Sequence, residues 1–407
     1  MLTHLERPSA APPGLRQLVA DFGPAYAANG FIGWIFAATA PVAIILSVAT
    51  QGGLSEAEIA SWIFGVFFVN GLVTVLFCWL YRQPLAFFWT IPGTVLVGPA
   101  LAHLRFTEVI GAFYVTGVLM LILGLSGWVK RAMAVVPMPI VMGMVAGVFL
   151  RFGLDLVRSL HADVVIAAPM VVVWLLLSAF PRWGRMMPPL IGALLVGVVV
   201  TVALGRVDLA ALGSVELARP VVQMPEWSWP AMVELVVPLA ITVLVVQNGQ
   251  GIAVVKAAGH DPPVDAIAVA CGVGAIASAA VGSVSTCLTG PTNAIITSSG
   301  DRSRHYTAGI FTGVLAICFG LLALPFTRLL LNAPKALIMV LAGLAMLRVL
   351  QAAFVASYAS RFTLGALVCM LVTLADVSLL NIGAAFWGLI AGVTVSWLLE
   401  REHFASR

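Results

Sequence analysis

The 407-residue sequence is 61% hydrophobic and only 9% charged, with a mean hydropathy of +1.07 and a net charge of +4. A soluble domain needs a charged surface that this composition lacks, so the chain is predicted to be an all-α polytopic membrane protein. The small positive charge matters through its spread over loops and gives no footprint for nucleic acid.

At about 20 apolar residues per crossing, the chain can hold about 12–14 transmembrane helices. Its hydrophobic runs separate into fourteen. Residues 1–21 read as a cytoplasmic tail without order, carrying Pro8, Pro12 and Pro13. Arg7 and Arg16 precede a first apolar run that lacks a convincing cleavage site, the pattern of a signal-anchor. A first repeat, 22–204, is predicted to cross at 24–49, 59–81, 85–101, 109–129, 132–152, 164–180 and 186–204. Residues 205–230 form the longest polar linker, placed on the extracytoplasmic side, and end near the interfacial pair Trp227 and Trp229. A second repeat, 231–400, crosses at 231–250, 264–281, 283–299, 305–322, 336–350, 362–380 and 384–399, and a cytoplasmic tail follows at 401–407.

The third span of each half is interrupted, by Thr90-Ile-Pro-Gly-Thr94 and by Thr289-Gly-Pro-Thr-Asn293. Proline lacks an N–H and clashes with the preceding turn, so a helix breaks there or begins just after it. Each segment reads as an extended apolar lead-in followed by a short half-helix. Such backbone is tolerated in lipid only where protein buries it or a wet cavity lines it. Matched interruptions in two halves point to a secondary transporter's binding site. Seven is odd, so halves that share a fold are inverted relative to each other. Of the 21 Lys and Arg, fourteen fall on the side of the N-terminal tail and seven opposite. The positive-inside rule then puts both termini in the cytoplasm of a bacterial inner-membrane protein.

If the half-helices start near the midplane, their free N–H groups and dipoles make a positive pocket without a formal charge. The candidate substrate residues there are Thr90, Pro92, Gly93, Thr94, Thr289, Gly290, Pro291, Thr292 and Asn293. The plain alternative is two Pro-kinked helices packed by Gly and Thr. Gln247 and Asn248 either line the same site or belong to a helix end closed by Gly251. Glu234 and Asp376 are the acids expected within the membrane. A carboxyl in hydrocarbon favours its neutral form, which makes both proton-coupling candidates. An interfacial place for Glu234 and a packing role for Asp376 stay open.

Arg151, Asp155 and Arg158 read as an interfacial charge cluster. Gly143 with Gly147, and Gly388 with Gly392, are GxxxG pairs that bring helices close within the bundle or between protomers. The five cysteines lack metal spacing and read as packing residues, with Cys287 inside the second broken segment. No phosphate-binding loop, triad or metal-type His spacing occurs, so neither a cofactor, a metal nor an enzyme is expected.

Four stretches resemble the benzoate/proton symporters of the BenE type. They are Ile59-Ala-Ser-Trp62; Tyr81-Arg-Gln-Pro84 with Trp89-Thr-Ile-Pro-Gly93; Gln247-Asn-Gly-Gln-Gly251 through Pro263; and Asn381-Ile-Gly-Ala-Ala-Phe-Trp-Gly-Leu389. The resemblance implies the fourteen-span inverted-repeat fold of uracil- and sulfate-type transporters. In that fold the first four spans of each half form a core and the last three a gate. Substrate binds between them at the third, eighth and tenth spans, and the core moves against the gate. A homodimer through gate helices is also implied. The tenth span departs from the family's usual Asn-Leu-Ala-Ala-Ile-Thr, reading Thr292-Asn-Ala-Ile-Ile-Thr297 after Gly-Pro. Nucleobase carriers of this fold use acids on the eighth and tenth spans, whereas 242–256 and 282–300 hold no Asp or Glu here. The expected cargo is a small aromatic carboxylate imported with a proton; the alternatives are a nucleobase or inorganic-anion transporter on the same fold, or a membrane-embedded enzyme.

Overall fold

Glu56–Tyr81 shows how a span is built. Ser55 accepts a hydrogen bond from the Glu58 N–H, and the Glu58 carboxylate accepts one from the Ser55 N–H. This capping box starts the helix at the water boundary. The run then continues, through a π-helical turn at Gly65–Val69, until Arg82 at φ 52° ends it. The computed structural model describes residues 5–129, 131, 137–206, 216–298, 300–377, 379 and 384–405. Lys130, residues 132–136, Asp208 and positions 381–383 of the last motif lie outside them.

In the first half the segments are α1 (Pro24–Gln51, bent at Thr39), α2 (Glu56–Tyr81), β1 (Phe87–Trp89) with α3 (Ile91–Ala100), α4 (Phe106–Ser126), α5 (Met138–Ala162), α6 (Val164–Ala179) and α7 (Pro189–Ala203). The second half has α8 (Trp229–Ala257), α9 (Val264–Ala279), β2 (Thr286–Leu288) with α10 (Gly290–Ile296), α11 (His305–Leu321), α12 (Lys335–Tyr358), α13 (Thr363–Ala375) and α14 (Ala384–Leu399). All fourteen stand at their expected ordinal places. The helices α5 and α12 run past their predicted ends; in α5 the charged Arg151, Asp155 and Arg158 fall on one helix face instead of forming a loop, and in α12 the added stretch 351–358 carries no charge to stop the helix. A helix at Ala323–Leu331, bent 67° from the one before it, was not foreseen.

Packing exchanges the halves. The helix α2 packs on α11 as α9 packs on α4, and α1 packs on α11 as α8 packs on α4. Together with α3 and α10 these form the core. In the gate, α5 packs on α12, α6 on α7 and α13 on α14. The two broken segments meet at the centre. Their strands pair antiparallel, with Phe87 opposite Leu288, Phe88 opposite Cys287 and Trp89 opposite Thr286. The ladder extends through Thr90 N–H to Ser285 O (3.1 Å) and Thr289 N–H to Ala86 O (3.2 Å). Paired in this way, extended backbone can lie at membrane depth.

Both GxxxG pairs close on α13 inside the gate. A Cβ at Gly147 would approach Met370 O to 2.9 Å, and one at Gly392 would approach Gly365 O to 2.7 Å. The tail departs from expectation by docking on the core. The Glu6 carboxylate accepts from Asp265 and Ala266 N–H at the start of α9, at 3.2 and 3.1 Å. Tyr81 donates to Glu6 O at 2.9 Å and Trp79 to Pro13 O at 3.0 Å, and Leu15–Asp21 is helical. Those contacts depend on single side chains, which leave no periodic trace in the sequence.

Candidate substrate site

Between core and gate lies a cavity of about 1090 Å³. The core lines it with Phe36, Phe88, Trp89, Pro92, Gln247, Gln250, Thr289, Pro291 and Thr292. The gate lines it with Met142, Phe149, Trp174, Leu344 and Arg348. Through Ser178 and Pro188 it reaches the end of the bundle where α6 leads to α7. Among its described lining residues Arg348 is the only cation, and none is acidic. The Trp89 indole N–H and the Thr289 hydroxyl are buried without a protein partner. Leaving a buried polar group unpaired costs about 1–3 kcal/mol. Orphans on a cavity wall therefore mark where water or a ligand completes the bonding.

The backbone decides which predicted residues arrive there. The helix α8 is π-helical over Thr242–Gln247, a turn that ends on the first residue of the motif. Successive residues point about 100° apart round a helix. Gln247 faces the cavity, while Asn248 faces the strands, accepting from Leu288 N–H at 2.8 Å and reaching Cys271 Sγ at 3.4 Å. Pro92, Thr289, Pro291 and Thr292 also line the cavity.

Thr90, Gly93, Thr94, Asn248, Gly290 and Asn293 do not line it. The Thr90 hydroxyl caps α3 by accepting from Gly93 N–H at 3.1 Å, and it lies 3.2 Å from Thr242 Oγ1. Thr94 donates to Thr90 O at 2.9 Å. Gly93 packs near Leu239, and Gly290 makes room for Gln250, whose Cγ a Cβ there would approach to 2.5 Å. Asn293 accepts from Ala86 N–H at 2.9 Å and donates to Ala86 O at 3.0 Å, tying α10 to the stretch before β1. The expected pair of facing helix ends is weaker than the sequence suggested, because α3 is capped and α10 has only seven residues.

The family model described as benzoate membrane transport protein, BenE, matches residues 20–398. The chain belongs to the BenE family. The inner membrane protein YdcO of Escherichia coli (strain K12) is 31% identical over 384 residues, 92% of this chain and 97% of that one. The benzoate membrane transport protein of Acinetobacter baylyi is 25% identical over 391 residues, 95% of this chain and 98% of that one. Among solved structures, the transmembrane domain of the cyanobacterial bicarbonate transporter BicA superposes with a TM-score of 0.61 at 15% identity, covering 94% of this chain and 99% of that one. The murine anion transporter Slc26a9, in its inward-facing state, gives 0.67 at 13%, covering 98% and 74%. This BenE-family chain is a membrane transporter with the fourteen-span inverted-repeat fold of those structures.

Within this BenE-family fold the two acids lie elsewhere. Glu234 and Asp376 both line a second pocket, of about 240 Å³, on the same seam. Glu234 pairs with His103 at 2.9 Å and Asp376 with Arg151 at 2.6 Å. Reading the sequence missed the gate side of the main cavity, together with Trp89 and Gln250. Trp89 and Gln250 stood inside stretches that had drawn notice. Arg348 is one of the fourteen basic residues on the side of the N-terminal tail, a loop charge as far as the sequence shows.

Proposed function

We propose that this transporter imports a small aromatic carboxylate, benzoate or a close analogue, together with a proton, across a bacterial inner membrane. The core, carrying the broken segments, moves against the gate. The observation that carries this reading is the lining of the core–gate cavity: aromatic walls, unpaired neutral polar groups, one arginine and no described acid. A ring can stack against Phe36, Phe88 and Trp89, while its carboxylate takes bonds from Thr289, Gln247 and Arg348. A nucleobase would present ring N–H groups that find no carboxylate there, and an inorganic anion gains nothing from apolar walls. A proton travelling with the anion offsets its charge, which lowers the cost of crossing a medium of low dielectric. Two repeats, 22–204 and 231–400, joined by an outer linker at 205–230, both termini in the cytoplasm and a homodimer through gate helices complete the proposal.

The test is uptake by proteoliposomes under an inward proton gradient, with labelled benzoate, uracil and sulfate in parallel. Benzoate accumulation that a protonophore abolishes is the expected result. Uptake of uracil or sulfate alone would replace the cargo, and benzoate uptake indifferent to the proton gradient would remove the coupling.

A further inference from the structure

The large cavity and the small pocket follow one another along the core–gate seam, the route that the proposed cargo would take. The helix α1 lines the first with Phe36 and Thr39 and the second with Ser47 and Gln51. The helix α5 contributes Met142 and Val145, then Arg151 and Asp155. On α8, Gln247 and Glu234 are separated by about 20 Å of helix, with the buried Leu239 between them.

The pocket is charged where the cavity is apolar. The core supplies Glu234, 5% exposed and held by His103. The gate supplies Arg151 bound to Asp376, with Asp155 beside it bound to Arg158 at 2.9 Å. Each moving domain therefore presents a paired carboxylate to one small chamber, and Arg151 is the only cation among its described lining residues.

We propose that this pocket is a second carboxylate site, a docking station at the end of the route away from the cavity's mouth, where an incoming carboxylate takes Arg151 in exchange for Asp376. The inference rests on the cargo being a carboxylate. A guanidinium presents a planar fork that binds carboxylates in one geometry, so cargo and Asp376 compete for the same donors. Protonation of Asp376 forms one O–H bond and breaks the ion pair, leaving Arg151 to the cargo. The other groups facing Asp376 are Asp155 with Arg158 and Glu234 with His103. Two of them are carboxylates that disfavour a further free anion, which ties docking to proton uptake.

The test uses full-length purified protein with Gln51→Cys at the exposed rim of the pocket and Cys318→Ala to remove the exposed native thiol; the other four cysteines are buried. The readout is the alkylation rate by a charged maleimide, with and without sodium benzoate. Benzoate is expected to slow alkylation severalfold. Half-protection falls to lower benzoate in Asp376→Asn and rises about tenfold or more in Arg151→Gln, the scale of one charged hydrogen bond. Protection persists when Thr289→Val and Gln247→Ala disable the main cavity. Absence of protection, shifts of the same sign in both pocket variants, or loss of protection with the cavity variants would each overturn the proposal. A merely structural ion pair gives shifts of the same sign. Benzoate uptake without protection removes the docking site alone, and protection without uptake removes the transport reading alone.

Discussion

Thr90 and Thr289 hold the same place in the two broken segments, each the last residue before a half-helix that opens with proline at its second position. The Thr90 hydroxyl is bonded to its own helix and neighbours Thr242, whereas the Thr289 hydroxyl has no protein partner and its residue faces the cavity. Four residues on, Thr94 bonds within its helix, while Asn293 reaches across to Ala86. A repeated backbone plan has thus been given unequal chemistry. The first segment supplies a self-contained, apolar wall around Trp89 and Pro92. The second supplies polar groups and the tie that holds both segments together.

The largest effect should come from the tie. Asn293→Ala strands the buried Ala86 N–H and drops further bonds, a loss of about 2–4 kcal/mol. It should appear as a lower Tm of the purified protein and less folded protein in the membrane. Thr94→Val at the matched position should cost far less, and equal losses would break the comparison. Next comes the same substitution at the two caps. Thr289→Val should raise the KM for uptake about tenfold with Tm unchanged or slightly higher, because an orphan hydroxyl leaves. Thr90→Val should lower stability by about 1 kcal/mol, the worth of an N-cap, and move KM less. Both variants shifting KM alike would show that the segments bind substrate symmetrically. Gly290→Ala should displace Gln250 and change KM severalfold without a fall in Tm, which kinetics across substituted benzoates can resolve. Trp89→Phe, which keeps a ring and removes the N–H, should give the smallest change, about 0.5 kcal/mol in relative affinity.

The fold was legible because each span is long, apolar and bounded, and because proline marks a break wherever it stands. The pairing of the strands was half legible, as extended lead-ins without a register. The site was legible only as a neighbourhood. Asn248 adjoins Gln247, and Asn293 adjoins Thr292, yet one residue along a helix turns a side chain to another partner. Sequence position alone could not tell cavity wall from internal tie. The gate wall was silent for a different reason: Met142, Phe149 and Leu344 look like any lipid-facing or core residue until the opposing surface is known. Arg348 lay near a predicted helix end, where a charge reads as ordinary, whereas Asp376 stood out as an acid within an apolar run.

The exchange of partners between the halves also has a consequence for how the molecule is made. The helix α2 is clasped by α11, more than 200 residues downstream, and α4 by α9. Neither half can close its own core. During synthesis the first seven spans must wait in the bilayer with a seat left open at their centre, beside broken backbone that has no lasting cover until β2 and α10 arrive. The pace of translation and insertion through α8–α11 sets how long that seat stays empty, and so how long the newborn chain is exposed to mispairing and proteolysis.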